Sequence, residues 1–254
     1  MSKALVTILS LFALSVGLVW YSARNNAPKE INNNTIVVGV NAEYPPFTFI
    51  RENEIVGFDV DLINEIGKRL NKNIELKDMP FNALISEVQI GLLHVIIGGI
   101  APTAERGKQV LFTKPYLQGR PLVIITKIDG PPVETVNDLT GKNIAVNEGF
   151  TSDLYMSTIE GPELLRLGTL SDSFLALQSG GVDALVAEQD TIQPLFETID
   201  QKDFKIVVIP DTDDPSAIGI TKKYPKLLPK IESILEELKN DGTLDQLRKK
   251  WWKL

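Results

Sequence analysis

The segment Val95-Ile96-Ile97-Gly98-Gly99-Ile100-Ala101-Pro102-Thr103-Ala104-Glu105-Arg106 has the residue types and spacing to grip an anion. A run of β-formers ends in two glycines, which let a ligand come close to the backbone. Thr103 then stands where a hydroxyl caps a short helix. Arg106, three residues on, can reach back with a planar fork that matches a carboxylate through two parallel hydrogen bonds. Ligands of α/β sheets bind at strand ends, and helix N-termini offer free N–H groups to anions. The segment therefore reads as a carboxylate clamp or, taken alone, as an ordinary strand–turn–helix with a surface arginine. Other combinations offer less. Asp59 and Asp61 do not face one another on a helix, so they suit helix-start electrostatics better than paired acid–base work. His94 reads as a structural residue at a strand end. Glu236-Glu237 belongs to a solvated helix face, and Trp251-Trp252 reads as packing for a terminal helix.

Composition narrows the chemistry further. The chain has 254 residues, no cysteine and one histidine. Disulfides, thiol catalysis, cysteine-based metal sites and a lipid-modified N-terminal cysteine are excluded together. A His-rich metal site is excluded as well, and no cofactor or metal is expected. The net charge of −7 argues against nucleic-acid binding, which needs a basic surface. A hydrophobic content of 43% supplies a real core. At the N-terminus, Lys3 precedes an apolar stretch from Ala4 to Tyr21, an export signal that is either cleaved or kept as a membrane anchor. We assign residues 1–24 to this segment and 25–35 to an Asn-rich tether, so the remainder is expected outside the cytoplasm, in the periplasm. From Thr35 onward there are 23 basic and 32 acidic residues.

The elements that must position Arg106 alternate between strands and helices, the mark of an α/β protein. Strands are expected at Thr35–Val40, Ile74–Leu76 and Val95–Ile97, with helices at Phe58–Leu70 and Asn82–Ile90 between them. A second series starts at Leu122–Ile125 and runs through strands at 143–146, 164–167, 183–186 and 204–209, with helices at 152–159, 171–178 and 191–196. A short strand at 218–220 and helices at 225–240 and 243–252 close the chain. Two such series imply two lobes: 36–118 for the first, 122–209 for the second, and 215–254 returning to the first. The crossings fall at Leu117–Pro121 and Pro210–Pro215.

Several further motifs stand in fixed order around the clamp. They are Asn41-Ala42-Glu43-Tyr44-Pro45-Pro46-Phe47-Thr48-Phe49, Ile55-Val56-Gly57-Phe58-Asp59-Val60-Asp61-Leu62, Phe81-Asn82-Ala83-Leu84-Ile85 and Phe112-Thr113-Lys114-Pro115-Tyr116. Asp138-Leu139-Thr140-Gly141-Lys142 follows, and Asp241-Gly242-Thr243 runs into Lys250-Trp251-Trp252. This ordered set resembles the bacterial extracellular solute-binding proteins of family 3, the polar amino-acid receptors of ABC importers. The resemblance implies a two-lobe periplasmic-binding-protein fold of type II, with two hinge crossings, closing over an amino acid. It implies that Arg106 holds the substrate α-carboxylate, flanked by Gly98, Gly99, Ala101 and Thr103. Thr151, after Gly149, would offer a hydroxyl and N–H to the same group, and Glu188 would pair with the α-ammonium. Tyr44 and Phe81 would wall the side chain, with Asn41 at its far end. Ala101 departs from the Ser or Thr common in relatives, and Glu148 and Phe150 are unusual neighbours for Gly149. Asn41, Glu43 and Glu148 would put carboxylates and an amide near a cationic side-chain end, which favours arginine or lysine over an acidic amino acid and leaves glutamine or another polar amino acid open.

The expected function is thus an amino-acid receptor, monomeric, delivering its ligand to a membrane permease. A sensory domain acting through another membrane protein, or a dehydratase-like enzyme on the same scaffold, are the alternatives. The residues supply no acid–base set for an enzyme.

Overall fold

The computed structural model describes residues 34–252, apart from 120, 193, 194, 197, 198 and 214. The export segment and most of the tether lie outside the described residues. Thr35–Val40 (β1) is followed by a small meander of Glu43–Tyr44 (β2), Thr48–Arg51 (β3) and Glu54–Val56 (β4). The helix Phe58–Leu70 (α1), strand Asn73–Asp78 (β5), helix Phe81–Ile90 (α2), strand Val95–Ile96 (β6), short helix Ala104–Gly107 (α3) and strand Leu111–Phe112 (β7) complete the first series. The second contains Leu122–Lys127 (β8), Asn143–Asn147 (β9), Thr151–Met156 (α4), Glu163–Leu167 (β10) and Leu170–Gln178 (α5). Ala184–Glu188 (β11), Gln189–Ile192 (α6) and Phe204–Val208 (β12) end it. The chain then returns through Gly219–Ile220 (β13) to Leu227–Asn240 (α7) and Thr243–Trp252 (α8).

The strands form two five-stranded sheets, β5-β1-β6-β13-β7 and β10-β9-β11-β8-β12. In the first, β1 runs parallel to β5 and β6, while β13 pairs antiparallel with both β6 and β7. In the second, β8 lies antiparallel between β11 and β12. The apolar run Leu122-Val123-Ile124-Ile125 explains that central place. Leu122 and Ile124 enter one core with Ile144, Val146 and Val186, whereas Val123 and Ile125 enter the opposite one with Phe174, Leu177 and Leu185. A strand buried on both faces reads as a continuous hydrophobic stretch for this reason. The first lobe has a single core, where Ile36 and Val38 of β1 join Leu62, Ile63 and Ile66 of α1 and Ile231, Leu235 and Leu238 of α7.

Two segments pass between the sheets, and they pair with one another. Tyr116 donates its N–H to the Ser216 carbonyl at 2.9 Å, and Ser216 donates back to Leu117 at 3.0 Å. A bridge of this kind ties the crossings into a two-stranded strap.

The terminal helix is fastened by side chains that the sequence placed apart. Asp61 of α1 accepts from Lys250 Nζ at 2.6 Å and from Trp251 Nε1 at 2.7 Å, so it links helices and does more than favour a helix start. Trp252 meets Phe58 and Phe47 edge-on, with ring centroids 4.9 and 5.5 Å away. Trp252→Ala is expected to cost about 3 kcal/mol, read as a lower urea midpoint at unchanged slope.

The meander β2-β3-β4 was not foreseen. Its β3–β4 turn holds Glu52 and Asn53 at φ 55° and 64°, a left-handed pair usually marked by Asn-Gly or Asp-Gly. Gly57 begins α1 at φ 140°, where a Cβ would stand 2.0 Å from the Phe47 carbonyl oxygen. No larger residue fits there.

Candidate functional site

The strand end, double glycine and cap are assembled as the residue order suggests. Thr103 caps α3, its hydroxyl accepting the Arg106 N–H at 3.3 Å. Capping fixes the start of the short helix, and the Arg106 side chain folds back onto the Ala101 carbonyl that precedes it. Gly99 takes φ 65°, and a Cβ on it would press on Tyr44 Cε1 at 2.7 Å. The glycine thus lets the Tyr44 ring lie directly on the backbone.

Arg106 is 5% exposed. Its Nη1 donates to the Ala101 carbonyl and its Nη2 to the Gly149 carbonyl, each at 2.9 Å. The first contact lies within its own lobe and the second reaches the other one. The guanidinium carbon sits 5.3 Å from the centroid of Phe81, at the start of α2. A buried guanidinium needs such oxygens and π-faces to make its desolvation tolerable.

The second lobe presents the turn Glu148-Gly149-Phe150 between β9 and α4. Asp153 holds that turn by accepting the Gly149 N–H at 3.0 Å, and Arg166 anchors Asp153 at 2.9 Å. Phe150 packs on Phe81 at 4.1 Å between centroids and on Tyr44 at 5.3 Å. Glu148 accepts from Asn82 Nδ2 across the cleft at 3.3 Å. Thr151 is the first residue of α4 and only partly exposed.

Glu188 ends β11 and is 4% exposed. Ser152 donates its N–H to Glu188 Oε1 at 3.0 Å. Burial raises the Glu188 pKa, while this N–H and the charge of Arg106 pull it back down. Arg106 and Glu188 therefore act on one another electrostatically across the two lobes.

Asn41 is buried at the end of β1, where its Nδ2 donates to the Met79 carbonyl at 3.3 Å. Arg106, Tyr44 and Phe81 of the first lobe meet Gly149 and Phe150 of the second, while Gly98, Gly99, Ala101 and Thr103 belong to the turn and cap that lead into Arg106. Glu43 does not join them. Alternation along β2 buries Tyr44 and leaves Glu43 exposed on the other face. Glu148 is exposed and engaged with Asn82, at the rim of the cleft.

One buried group was missed as part of this assembly. Asp59 is fully buried behind the double-glycine turn, accepting the Gly99 N–H at 2.8 Å and the Tyr116 hydroxyl at 2.8 Å. Burial lifts its pKa to about 7, against the lowering effect of both donors. Burial and the neighbouring carboxylate push the Tyr116 hydroxyl well up. Helix-start electrostatics alone do not describe Asp59. It props the double-glycine turn and ties it to the strap at Tyr116. His94 is structural, accepting the Val37 N–H at Nδ1 at 2.9 Å. Among the described residues, no cluster of three or more acidic or histidine side chains is placed to hold a metal ion.

The sequence profile of the bacterial extracellular solute-binding proteins, family 3, matches residues 36–253. An arginine-binding extracellular protein, ArtP, of Bacillus subtilis is 30% identical over 234 residues, covering 90% of each chain. A probable histidine-binding protein of Campylobacter jejuni is 30% identical, covering 89% of each chain. Among solved structures, an ancestral arginine-binding protein bound to arginine is 35% identical. It superposes with a TM-score of 0.80 and covers 86% of this chain and 98% of its own. An ancestral arginine-binding protein bound to glutamine is also 35% identical, with a TM-score of 0.79 and coverage of 86% and 97%. These likenesses span both sheets and the crossings between them. Among the described residues, no helix is long and apolar enough to cross a membrane. A cleft with a buried cation and a buried anion on facing lobes is suited to holding a solute. The chain belongs to the bacterial extracellular solute-binding proteins of family 3, receptors and not enzymes.

Proposed function

We propose that this receptor closes over a basic amino acid, arginine or lysine, and delivers it to the membrane permease of an ABC importer. The observation that carries the reading is a buried cation, Arg106, on one lobe and a buried anion, Glu188, on the other. A zwitterion needs one fixed cation and one fixed anion, each already hydrogen-bonded so that its burial is tolerable. Arg106 takes the α-carboxylate, with Thr151 and the Gly99 turn beside it, and Glu188 takes the α-ammonium. Binding then favours the closed state, because only that state brings both sets of contacts together. Tyr44 and Phe81 flank the side chain, with Asn41 toward its end.

A basic preference draws support from the aromatic faces, which attract a cation, and from the acidic balance of the chain beyond Thr35. It is further supported by the arginine-binding names carried by several relatives. The protein works as a monomer in the periplasm, and closure is the signal the permease reads.

A thermal-shift screen of the purified domain against the standard amino acids tests this. Arginine or lysine at about 1,000 times its dissociation constant is expected to add about 4 kcal/mol of stability. For a domain of this size the melting temperature rises by roughly 10 °C. A larger shift with glutamine than with either basic amino acid would overturn the basic preference. No shift with any amino acid would overturn the receptor reading.

A further inference from the structure

The turn Glu148-Gly149-Phe150 makes, with the first lobe, the contacts assigned above to an amino acid. The Gly149 carbonyl oxygen lies on Arg106 Nη2 at 2.9 Å, where a carboxylate oxygen would sit. The Phe150 ring lies on Phe81 at 4.1 Å and on Tyr44 at 5.3 Å, against both walls meant for a substrate side chain. The pair imitates an amino acid with a flat apolar side chain. Phe150 is 5% exposed, so its ring is held in this slot and does not lie loosely over it. The turn is also braced from behind, because Asp153 fixes the Gly149 N–H and Arg166 fixes Asp153. At the rim, Asn82 and Glu148 close a further contact between the lobes.

We propose that Phe150 is an internal plug that competes with the substrate side chain for the slot between Tyr44 and Phe81, and so sets both affinity and selectivity. The proposal rests on the reading of this cleft as an amino-acid site. A long side chain must displace the ring before it can lie between the walls. The plugged form has no room for a long side chain in the slot, so the affinity measured for such a ligand is reduced by the fraction of molecules that are unplugged. Every amino acid must displace the Gly149 carbonyl from Arg106, but only a long side chain must also displace the ring. The plug therefore discriminates by side-chain length, at the cost of affinity for the long ones.

Isothermal titration of the wild type, Phe150→Ala and Phe150→Leu with L-arginine and L-alanine tests this. Phe150→Ala is expected to bind arginine at least tenfold more tightly than the wild type, while its response to alanine stays within threefold or equally undetectable. Phe150→Leu keeps apolar volume without the flat ring and should fall between the two, which secures the result if the smaller residue impairs folding. Unchanged or weaker arginine binding in variants that keep a cooperative melt would overturn the plug, because Phe150 would then be a wall that stacks on the ligand. Equal gains for arginine and alanine would also overturn it, as a general change in closure. Failure of the wild type and both variants to bind any standard amino acid would overturn the receptor reading itself, whereas the preceding results leave that reading standing.

Discussion

Arg106→Ala is expected to weaken amino-acid binding by at least about 100-fold, the loss that follows removal of one partner from a buried, hydrogen-bonded charge pair. The guanidinium is buried over Phe81 and has both terminal nitrogens placed on backbone oxygens of the two lobes. Without it, an α-carboxylate enters the cleft with no cation to meet it, and its desolvation is uncompensated. Arg106→Lys should recover little, because an ammonium cannot donate along two parallel directions at once. Glu188→Gln is the companion change. The amide oxygen can still accept the Ser152 N–H that Glu188 accepts at 3.0 Å, so the fold is kept while the anion facing the α-ammonium is removed. Calorimetry on the three variants reads the effect directly. Wild-type affinity in folded Arg106→Ala and Glu188→Gln would defeat the zwitterion clamp.

The second large effect concerns stability and pH. Asp59 has its pKa raised to about 7 from an ordinary 3.8 by burial. The folded protein thus holds a proton that the unfolded chain releases near pH 4. This group's contribution is fully present below that value, is lost as pH rises toward 7, and changes no further above it. Between pH 5 and pH 8 the wild type should lose about 2–3 kcal/mol of unfolding free energy on this account. Asp59→Asn removes the titration, and its amide oxygen can still accept the Gly99 N–H. The measurement is urea unfolding at both pH values, with the wild-type loss taken relative to the variant. Parallel pH responses of the two proteins would show that Asp59 does not hold its proton in the folded state. Asp241, with a pKa of about 2 beside Arg69 and Thr243, acts in the opposite sense and only in stronger acid.

Local features were legible in the sequence, and long-range ones were not. Thr103 and Arg106 are three residues apart on one turn, so the cap and the direction of the guanidinium follow from spacing alone. The continuous apolar run of β8 marks a strand buried on both faces wherever it lands. Asp59 could not be read in the same way. Its partners Gly99 and Tyr116 lie 40 and 57 residues away, and a carboxylate near a helix start has an adequate local explanation. The same distance hid the role of Asp61, whose partners Lys250 and Trp251 are 189 and 190 residues away. The face on which Glu43 lies is not legible in the sequence, because neither end of β2 shows which face of the meander is buried. Its neighbour Tyr44, resting on the Gly99 backbone, decides it. Phe150 stood out only as an unusual neighbour for Gly149. Its contact with both aromatic walls depends on how the two lobes meet.

The position of β13 bears on the order in which the molecule is built. Gly219 and Ile220 lie between β6 and β7, pairing with each, although more than a hundred residues of chain separate them from both. On a growing chain, every strand of the second sheet has been made before the strand that completes the first. The lobe that begins the sequence is therefore the one finished last, and its edges at β6 and β7 stay unpaired until residue 220 arrives. Pairings across such separations close slowly, because the loop entropy is lost before the contacts can repay it. The second sheet is complete in sequence before this pairing, and the strand that leads into the Arg106 turn gains its second neighbour only afterwards.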